Sequence, residues 1–317
     1  MRAAVIDGYG GSERLVLREV AAPRPGPGQV LLRVRAASVN PLDWKIRSGQ
    51  LRLVKRLRFP AILGLDVAGE VVEIGPEVSR FAPGDAVYAL LDGVGGAYAE
   101  YAVVRESSLA AKPDVLSFEE AAALPVAGLT ALQALRDLGE LAPGERLLIN
   151  GAAGGVGHLA VQIGAALGAH VTGVASGRNQ EMVLAMGAER AIDYEEVDFT
   201  GEDEEYDVIF DVVGSRFDDC SAVLSADGGV YVSTQVGPRL FAWSVLTRLG
   251  RLLGRRRLAR LIITHPSGQD LEVINRLVEI GKLRPAIGRV YLLEDVGRAH
   301  EASEGGHARG KIVLRIE

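Results

Sequence analysis

The sequence predicts an α/β protein built on a doubly wound parallel β-sheet, with a β-rich module before it. Two observations predict this fold. Residues 146–175 contain a short apolar strand, a glycine turn, an amphipathic helix and a second strand, which is the length of one βαβ unit. Beyond them, strands and helices continue to alternate up to residue 264, a pattern typical of parallel sheets.

Composition and charge limit the class of protein. At 317 residues the chain suggests about two domains, and 48% hydrophobic with 24% charged residues is ordinary globular composition. The net charge of −6 argues against a general nucleic-acid-binding protein. Cys220 is the single cysteine, so no internal disulfide can form and a cytoplasmic location is expected. We expect no signal peptide, and no apolar run approaches the ~18 residues of a membrane span.

Residues 1 to about 117 predict a β-rich, barrel-like or sandwich module. Its β-like runs are separated by turns rich in proline and glycine. The predicted strands are Ala3–Ile6, Leu15–Glu19, Val30–Ala37, Val67–Ile74, Ala86–Leu91 and Ala97–Val104. Ser117 and Glu120 then form a capping box that begins a helix, and a second helix is predicted around Thr130–Leu138.

The glycine turn after the strand Arg146–Asn150 predicts a dinucleotide-binding loop. Gly154 would let the strand turn tightly, Gly155 would leave room for a pyrophosphate, and Gly157 would let helix and strand pack closely. The free N–H groups of the helix's first turn would then face the phosphates. Ala152 replaces the first glycine of the usual G-x-G-x-x-G, so the strict motif is missed. The residues predicted to bind the cofactor here are Ala153, Gly154, Gly155, Val156 and Gly157.

The alternation that follows completes the predicted sheet. Further strands are expected at 170–175, 189–193, 207–213, 229–235 and 258–264, with helices at 180–186 and 271–280. The last strand, Lys311–Ile316, is expected to return to the first module. The predicted domains are therefore 1–118 and 267–317, which together form one, and 119–266, which forms the other.

Residues 238–261 interleave leucines and aromatic residues with arginines. Three interpretations stay open: an amphipathic helix that packs on the fold, a lid over a substrate pocket, and a helix lying on a membrane surface.

The choice of nicotinamide coenzyme follows from the end of the second strand. An acidic residue about 20 positions past the glycines would hold the adenosine ribose of NAD. The strand ends instead in Ser176-Gly-Arg-Asn179, without a carboxylate. Arg178 can pair with a 2′-phosphate, to which Ser176 or Asn179 can donate hydrogen bonds. The sequence therefore predicts NADPH.

Eight motifs, spread over nearly the whole chain, resemble one family. They are Ala36–Lys45, Gly64–Glu70, Pro83–Val87, Gly96–Glu100, Leu124–Ala131, Ala153–Gly157, Asp207–Gly214 and Gly310–Leu314. In this order they resemble the medium-chain dehydrogenase/reductase superfamily, in its zinc-free quinone oxidoreductase and enoyl-reductase branch. The resemblance implies a GroES-like catalytic domain formed by both termini, a Rossmann domain between them, an active site in the cleft, and a homodimer.

The resemblance also implies that no metal is bound. Zinc-dependent relatives hold zinc with two cysteines and a histidine, and a catalytic zinc needs three protein ligands. Asn40 stands where the first cysteine is usual, Leu65 stands where the histidine is, and Cys220 is isolated. The five histidines lie outside the cleft motifs, and His158 is interpreted as structural.

Without a Lewis acid, a hydride acceptor must already be electron-poor. Quinones and α,β-unsaturated carbonyls qualify, because the site need only donate hydrogen bonds to the developing oxyanion. The resemblance places Asn40, Asp43 and Lys45 on the loop that lines the cleft. We expect Lys45, one of five lysines, to be the cationic donor, and Asn40 to orient substrate or nicotinamide. Asp43 is expected to position Lys45 or to contact the nicotinamide ribose.

The resemblance implies further cofactor contacts. Thr130 would lie near the nicotinamide, Tyr194 near the 2′-phosphate and Lys311 near the pyrophosphate. Val213, Gly214 and residues 234–237 would border the cofactor, and Asp66 would serve the domain junction.

The sequence predicts an NADPH-dependent reductase of a small-molecule quinone or enone. Within enzymes, one-electron or two-electron quinone reduction and an enoyl-thioester substrate stay open. From other classes, the alternatives are an NADPH-binding protein with a regulatory or structural role and little turnover, and a peripheral membrane protein that uses residues 238–261.

Overall fold

A computed structural model shows that the chain forms two compact units. One unit comprises Met1–Leu129 together with His265–Glu317, and the other comprises Thr130–Thr264. The structure describes residues 1–201, 204–214, 217–235, 238–251, 257–306 and 309–317. Gly237, His307 and part of the Leu/Arg-rich segment (252–256) therefore lie outside the described residues.

Strands and helices alternate along the described chain, and their bounds are as follows. The strands are β1 (Arg2–Ile6), β2 (Val16–Glu19), β3 (Gln29–Val39), β4 (Ala61–Ile62), β5 (Asp66–Ile74), β6 (Ala86–Leu90), β7 (Tyr101–Arg105), β8 (Leu109–Ala111), β9 (Arg146–Asn150), β10 (His170–Ala175), β11 (Arg190–Asp193), β12 (Val208–Asp211), β13 (Val230–Ser233), β14 (Leu258–Leu261), β15 (Ile287–Leu292) and β16 (Lys311–Arg315). The helices are α1 (Pro41–Arg47), α2 (Phe118–Ala122), α3 (Pro125–Leu132), α4 (Gly157–Ala166), α5 (Gln180–Ala185), α6 (Phe217–Ala222), α7 (Pro238–Arg251), α8 (Gly268–Glu279) and α9 (Val296–Glu304). A π-helical segment, Gln133–Leu138, follows α3.

The first unit is built on a mixed sheet in the order β15-β16-β3-β5-β6-β8, with β7 also paired to β3. A smaller sheet has the order β2-β1-β4. The C-terminal strand β16 runs antiparallel to β3, with Ile312 opposite Val39, so both ends of the chain contribute to one sheet. Side chains such as Leu32, Val67 and Leu314 fill its core and are fully buried.

The second unit contains a fully parallel sheet in the order β11-β10-β9-β12-β13-β14. Its central strands are almost continuously apolar because helices cover both faces of such a sheet. From β9 the chain proceeds outward to β11 and then returns to β12 on the other side. This reversal confirms the doubly wound fold, and it creates the kind of crevice in which such sheets bind ligands.

Several elements differ from the prediction. The resemblance placed Asn40, Asp43 and Lys45 on a loop, whereas the structure forms the helix α1 there. Its start has a local signal: Asn40 is the N-cap residue, Pro41 is at the first position and Asp43 is an acid in the first turn. Also missed were β4, β8, α6, β15 and α9. The helix predicted around Thr130–Leu138 begins earlier, at Pro125, as α3, and continues as the π-helical segment Gln133–Leu138.

The described part of the 238–261 segment forms the helix α7 and then β14. Leu240 and Trp243 pack against the core of the second unit, which supports the interpretation of a helix packed on the fold. Its outer face carries Val245 and Leu246, which are 44% and 61% exposed. Among the described residues, no helix combines the length and apolar character that crossing a membrane would require.

Candidate active site

The residue Asn40 lies where β3 ends and α1 begins. Its backbone is extended, with φ −116° and ψ 154°, and Pro41 starts the helix directly after it. Its backbone N–H donates to Oδ2 of Asp43 at 2.8 Å. The short sequence Asn-Pro-Leu-Asp therefore fixes both residues at the helix N-terminus and brings two of the predicted catalytic residues together.

The side-chain amide of Asn40 is held at both ends. Its Nδ2 donates to Oδ2 of Asp66 at 2.9 Å, and its Oδ1 accepts a hydrogen bond from Nζ of Lys311 at 2.5 Å. The carboxylate on one side and the ammonium on the other define which end of the amide is which, because a carboxylate accepts and an ammonium donates. Asn40 is 4% exposed. Its orientation is therefore fixed by buried partners.

Asp66 is the centre of this cluster. Its Oδ2 lies 3.3 Å from Nζ of Lys311 and also accepts from the hydroxyl of Ser38. Its other oxygen, Oδ1, accepts from the backbone N–H of Val126 at 2.6 Å, at the start of α3. Asp66 has no exposed surface, and its negative charge is compensated by Lys311 and by hydrogen bonds. We call Ser38, Asn40, Asp66 and Lys311 the Asp66 cluster.

The sequence did not predict the position that Lys311 occupies. It was expected near the pyrophosphate, yet its side chain is 3% exposed and its ammonium contacts Asn40 and Asp66. An ammonium so enclosed balances a buried carboxylate, which argues against its being an available cation for phosphate.

Asp43 is fully buried beside this cluster. Burial raises its pKa to about 7; the hydrogen bond from the Asn40 N–H opposes this rise in pKa, and the charge of Asp66 adds to it. Asp43 was expected to position Lys45 or to contact the nicotinamide ribose, whereas in the structure it holds the backbone N–H of Asn40. Residues two positions apart project from different faces of a helix, so Asp43 and Lys45 do not face each other across α1.

Lys45 is half-buried, and its ammonium lies 5.6 Å from the centre of the Trp44 ring. The structure therefore places Asn40 in contact with Asp43. Lys45 lies about half a turn further along α1, beside the Trp44 ring.

The predicted dinucleotide loop connects β9 to α4 in the second unit. Its tight turn is made by Gly151, whose φ of +88° is in the left-handed region that favours glycine. This corrects the prediction that Gly154 makes the turn, since Gly154 lies outside that region. The predicted close approach at Gly157 is present: a Cβ there would lie 2.1 Å from the Gly151 carbonyl oxygen. Only glycine fits this position without a backbone shift.

The predicted pyrophosphate loop is partly exposed at Gly154, Gly155 and Val156, just before α4, and Ala153 is buried. The prediction that the first-turn N–H groups of the helix are free is wrong for His158, Leu159 and Ala160, which donate to the carbonyls of Gly154 and Val156. A pyrophosphate would therefore be bound by the glycine loop that precedes the helix. His158 is fully buried and its Nδ1 lies 2.9 Å from the Gly154 carbonyl oxygen, which agrees with a structural role.

The residues predicted for the 2′-phosphate follow β10 and β11. Asn179 donates to the Ser176 hydroxyl at 3.1 Å, Arg178 is exposed, and Tyr194 is 53% exposed after β11. The sequence missed Asp193, the last residue of β11, which pairs with Ala175. A Cβ on Gly177 would lie 2.4 Å from its Oδ2. A carboxylate therefore lies next to this loop, although residues 176–179 themselves contain none.

Three further predicted contacts lie in the second unit. The hydroxyl of Thr130 is 2.6 Å from that of Thr264. Val213 is 50% exposed, and its N–H and that of Gly214 donate to Oδ1 of Asp211 at 3.0 and 2.8 Å. Asp211 was not predicted. It is fully buried, and it also accepts hydrogen bonds from Asn150 and Tyr231.

Among the residues that the structure describes, no group of three or more histidines, cysteines or acidic residues is placed to hold a metal ion.

Comparison with known proteins gives matches in both units. Residues 26–114 match the alcohol dehydrogenase GroES-like domain, and residues 186–314 match the family described as zinc-binding dehydrogenase. The chain is 39% identical to a chloroplastic quinone-oxidoreductase homolog of Spinacia oleracea, over 99% of this chain and 98% of that protein. It is 35% identical to the mitochondrial NAD(P)H oxidoreductase RTN4IP1 of Mus musculus, over 100% and 89% of the two chains.

A solved structure agrees. The quinone oxidoreductase from Coxiella burnetii superposes with a TM-score of 0.86 and 34% identity, over 100% of this chain and 99% of that one. These matches cover the whole chain, and they confirm the relationship that the eight motifs indicated.

Proposed function

Because the chain belongs to the medium-chain dehydrogenase/reductase superfamily, in its quinone oxidoreductase-like branch, we propose that it is a zinc-independent, NADPH-dependent reductase of quinones or α,β-unsaturated carbonyls. Membership of this family establishes that the chain is an oxidoreductase that uses a nicotinamide cofactor on a small-molecule substrate. Metal independence, the preference for NADPH and the nature of the acceptor are our proposals.

The Asp66 cluster is the observation that carries the proposal. The resemblance places Asn40 at the position of the first zinc-ligating cysteine in zinc-dependent relatives. Here its side chain binds a buried carboxylate and the ammonium of Lys311 instead. Lys311 thus supplies the positive charge in this cluster. An amide and an ammonium are poor ligands for zinc, which prefers thiolate, imidazole or carboxylate.

This arrangement suits hydrogen-bond catalysis. The nicotinamide, when bound, supplies a hydride, and the acceptor must then carry the developing negative charge on an oxygen. One N–H of the Asn40 amide donates to Asp66, which leaves the second N–H for that oxygen. We propose Lys45 as a second donor and Asp43 as the group that fixes Asn40 through its backbone. The fixed amide needs little reorganisation during reaction, which is the condition for efficient oxyanion stabilisation.

The test is NADPH consumption against quinones, enones and aldehydes, with and without EDTA. We expect quinones or enones to be reduced equally in both conditions, because no step requires a metal. Asn40→Ala should lower kcat by about 10²–10³, the usual cost of losing one oxyanion donor. Asn275→Ala, an amide elsewhere in the same unit, is the control.

Inactivation by EDTA would refute metal independence. Tight NADPH binding without turnover on any acceptor would favour the regulatory alternative.

We base the proposed preference for NADPH on Arg178. Its exposed guanidinium is available to a 2′-phosphate, whereas the carboxylate of Asp193 beside Gly177 would repel one. Arg178→Ala should lower kcat/KM for NADPH about 10–100-fold, the effect of one charge-assisted hydrogen bond, and leave NADH unaffected. Arg146→Ala, at the opposite end of β9, is the matched control. An unchanged ratio of NADPH to NADH activity would contradict the assignment and leave Asp193 as the determinant of an NADH preference.

The homodimer and the cytoplasmic location stay predictions from the family and from the cysteine content. Light scattering on the purified protein would test the homodimer.

A further inference from the structure

A second surface of the first unit carries features that the proposed reaction does not use. Residues 49–59 connect α1 to β4, and we call them the basic turn. At its tip Leu53 is 94% exposed and Val54 is 79% exposed. Two adjacent apolar side chains with this exposure are unusual for a surface that faces only water.

The basic turn has a defined conformation. Within it, the Arg52 N–H donates to the Gly49 carbonyl at 3.1 Å, and the Lys55 N–H donates to the Leu51 carbonyl at 2.7 Å. Leu57 is buried, and its N–H donates to the Tyr9 hydroxyl at 2.9 Å. Leu51 packs against the core of the unit. Leu51 and Leu57 therefore anchor the turn, and this anchoring presents Leu53 and Val54 outward.

Positive charge surrounds this apolar tip. Arg52, Lys55, Arg56 and Arg58 belong to the turn, and the sequence from Trp44 to Leu65 contains no acidic residue. Within the described part of the chain, no carboxylate forms an ion pair with the three arginines. The Lys55 ammonium donates to the Gly93 carbonyl at 2.6 Å. The acid next to Gly93, Asp92, is paired with Arg105 at 3.1 Å.

The local charge is opposite to that of the whole chain, which carries a net charge of −6. An anionic partner would be attracted at the basic turn, against the net negative charge of the chain. This asymmetry orients the molecule at a negatively charged surface.

We propose that the basic turn docks the protein on the surface of an anionic lipid bilayer. Arginine side chains can pair with lipid phosphates while their aliphatic portions lie along the interface, and Leu53 and Val54 can enter the boundary between headgroups and acyl chains. A soluble polyanion would satisfy only the charges, whereas a bilayer accommodates both the charges and the apolar tip. Docking of this kind is peripheral, reversible and weakened by salt. The proposal is independent of the enzyme's acceptor.

The test is co-sedimentation of the full-length protein with vesicles of phosphatidylcholine alone or mixed with phosphatidylglycerol. We expect binding to the mixed vesicles only, and release at high salt. Each of Arg52→Ala and Arg56→Ala should weaken binding about fivefold, the effect of one basic residue near an anionic surface. Leu53→Ser should also weaken it.

Matched controls separate docking from general surface changes. Val115→Ser replaces another apolar side chain, 67% exposed, and Arg24→Ala removes an exposed arginine outside the turn. Neither should change vesicle binding, and the Tm of every variant should match that of the wild type.

Four results would overturn the proposal. One is the absence of binding to mixed vesicles, and another is equal binding to neutral ones. The third is a change of oligomeric state in Leu53→Ser without a change in vesicle binding, which would assign the turn to a second copy of the chain. The fourth is that heparin competes equally with the vesicle binding of the wild type and of Leu53→Ser. This would mean that charge alone holds the protein on the vesicle, and it would contradict insertion of the tip.

Discussion

The two units form their candidate sites in different ways. In the second unit, the dinucleotide loop consists of consecutive residues between β9 and α4, and its fit depends on backbone atoms and missing side chains at Gly151 and Gly157. In the first unit, the Asp66 cluster depends on side chains distant in sequence: Asn40 and Lys311 are separated by 271 positions. A backbone site needs only local geometry, whereas a side-chain site needs the tertiary fold to be correct.

The strongest test of this difference between the two units is Asp66→Ala, which removes the carboxylate at the centre of the Asp66 cluster. Asp66→Ala would leave the ammonium of Lys311 buried without its counter-ion, and breaking a buried pair in this way costs about 3–5 kcal/mol of the free energy of unfolding. Chemical denaturation measures this loss. The control is Asp7→Ala, which removes an exposed partner of Arg18 and should change the free energy of unfolding far less. Equal losses for the two variants would mean that the cluster is not a structural centre of the first unit.

A methyl group added to the loop of the second unit should have a smaller effect. In Gly157→Ala the new Cβ would be placed 2.1 Å from the Gly151 carbonyl oxygen, so the backbone must shift, at a cost of about 1–3 kcal/mol. In Gly154→Ala the corresponding distance is an ordinary contact of 3.4 Å. Thermal unfolding of both variants without coenzyme should therefore show a lower Tm for Gly157→Ala. The reverse order would contradict the assignment of the close approach to Gly157.

The same contrast explains what the sequence could predict. The strand Arg146–Asn150 was predicted with its observed bounds, because apolar periodicity and glycine position are local signals. The role of Gly151 was missed because the usual spacing directed attention to Gly154. The carboxylate of Asp193 was missed because it comes beside Gly177 only through the parallel pairing of β10 with β11.

For the Asp66 cluster, the residue types were predicted but their association was not. Asn40, Asp66 and Lys311 were each singled out, with three separate roles. They meet because β3 pairs with β5, which sets Ser38 opposite Asp66, and with β16, which sets Val39 opposite Ile312. Register between strands so far apart in the chain is set by the packed sheet and has no local sequence signal.

Asp43 offers the finest test, because it is a carboxyl group without a matching buried cation of its own. Burial raises its pKa to about 7, so the folded state retains a proton that the unfolded chain releases near pH 4. The unfolded state then binds fewer protons between about pH 4 and pH 7, and the free energy of unfolding falls as the pH rises through this window. The charged and titratable groups that interact with Asp43 include Asp66, Lys311, Tyr98 and Lys55.

Asp43→Asn should remove this pH dependence while an amide oxygen still accepts the Asn40 N–H. His300 acts in the opposite direction, because burial and then Arg47 lower its pKa to about 3. Subtracting the variant's free energy of unfolding from that of the wild type at each pH cancels the contribution of His300. The difference should change by at most ~1.4 kcal/mol per pH unit up to about pH 7 and then level off. A difference that stays constant from pH 4 to 8 would mean that Asp43 is ionised throughout, and that its neighbours stabilise its charge in spite of its burial.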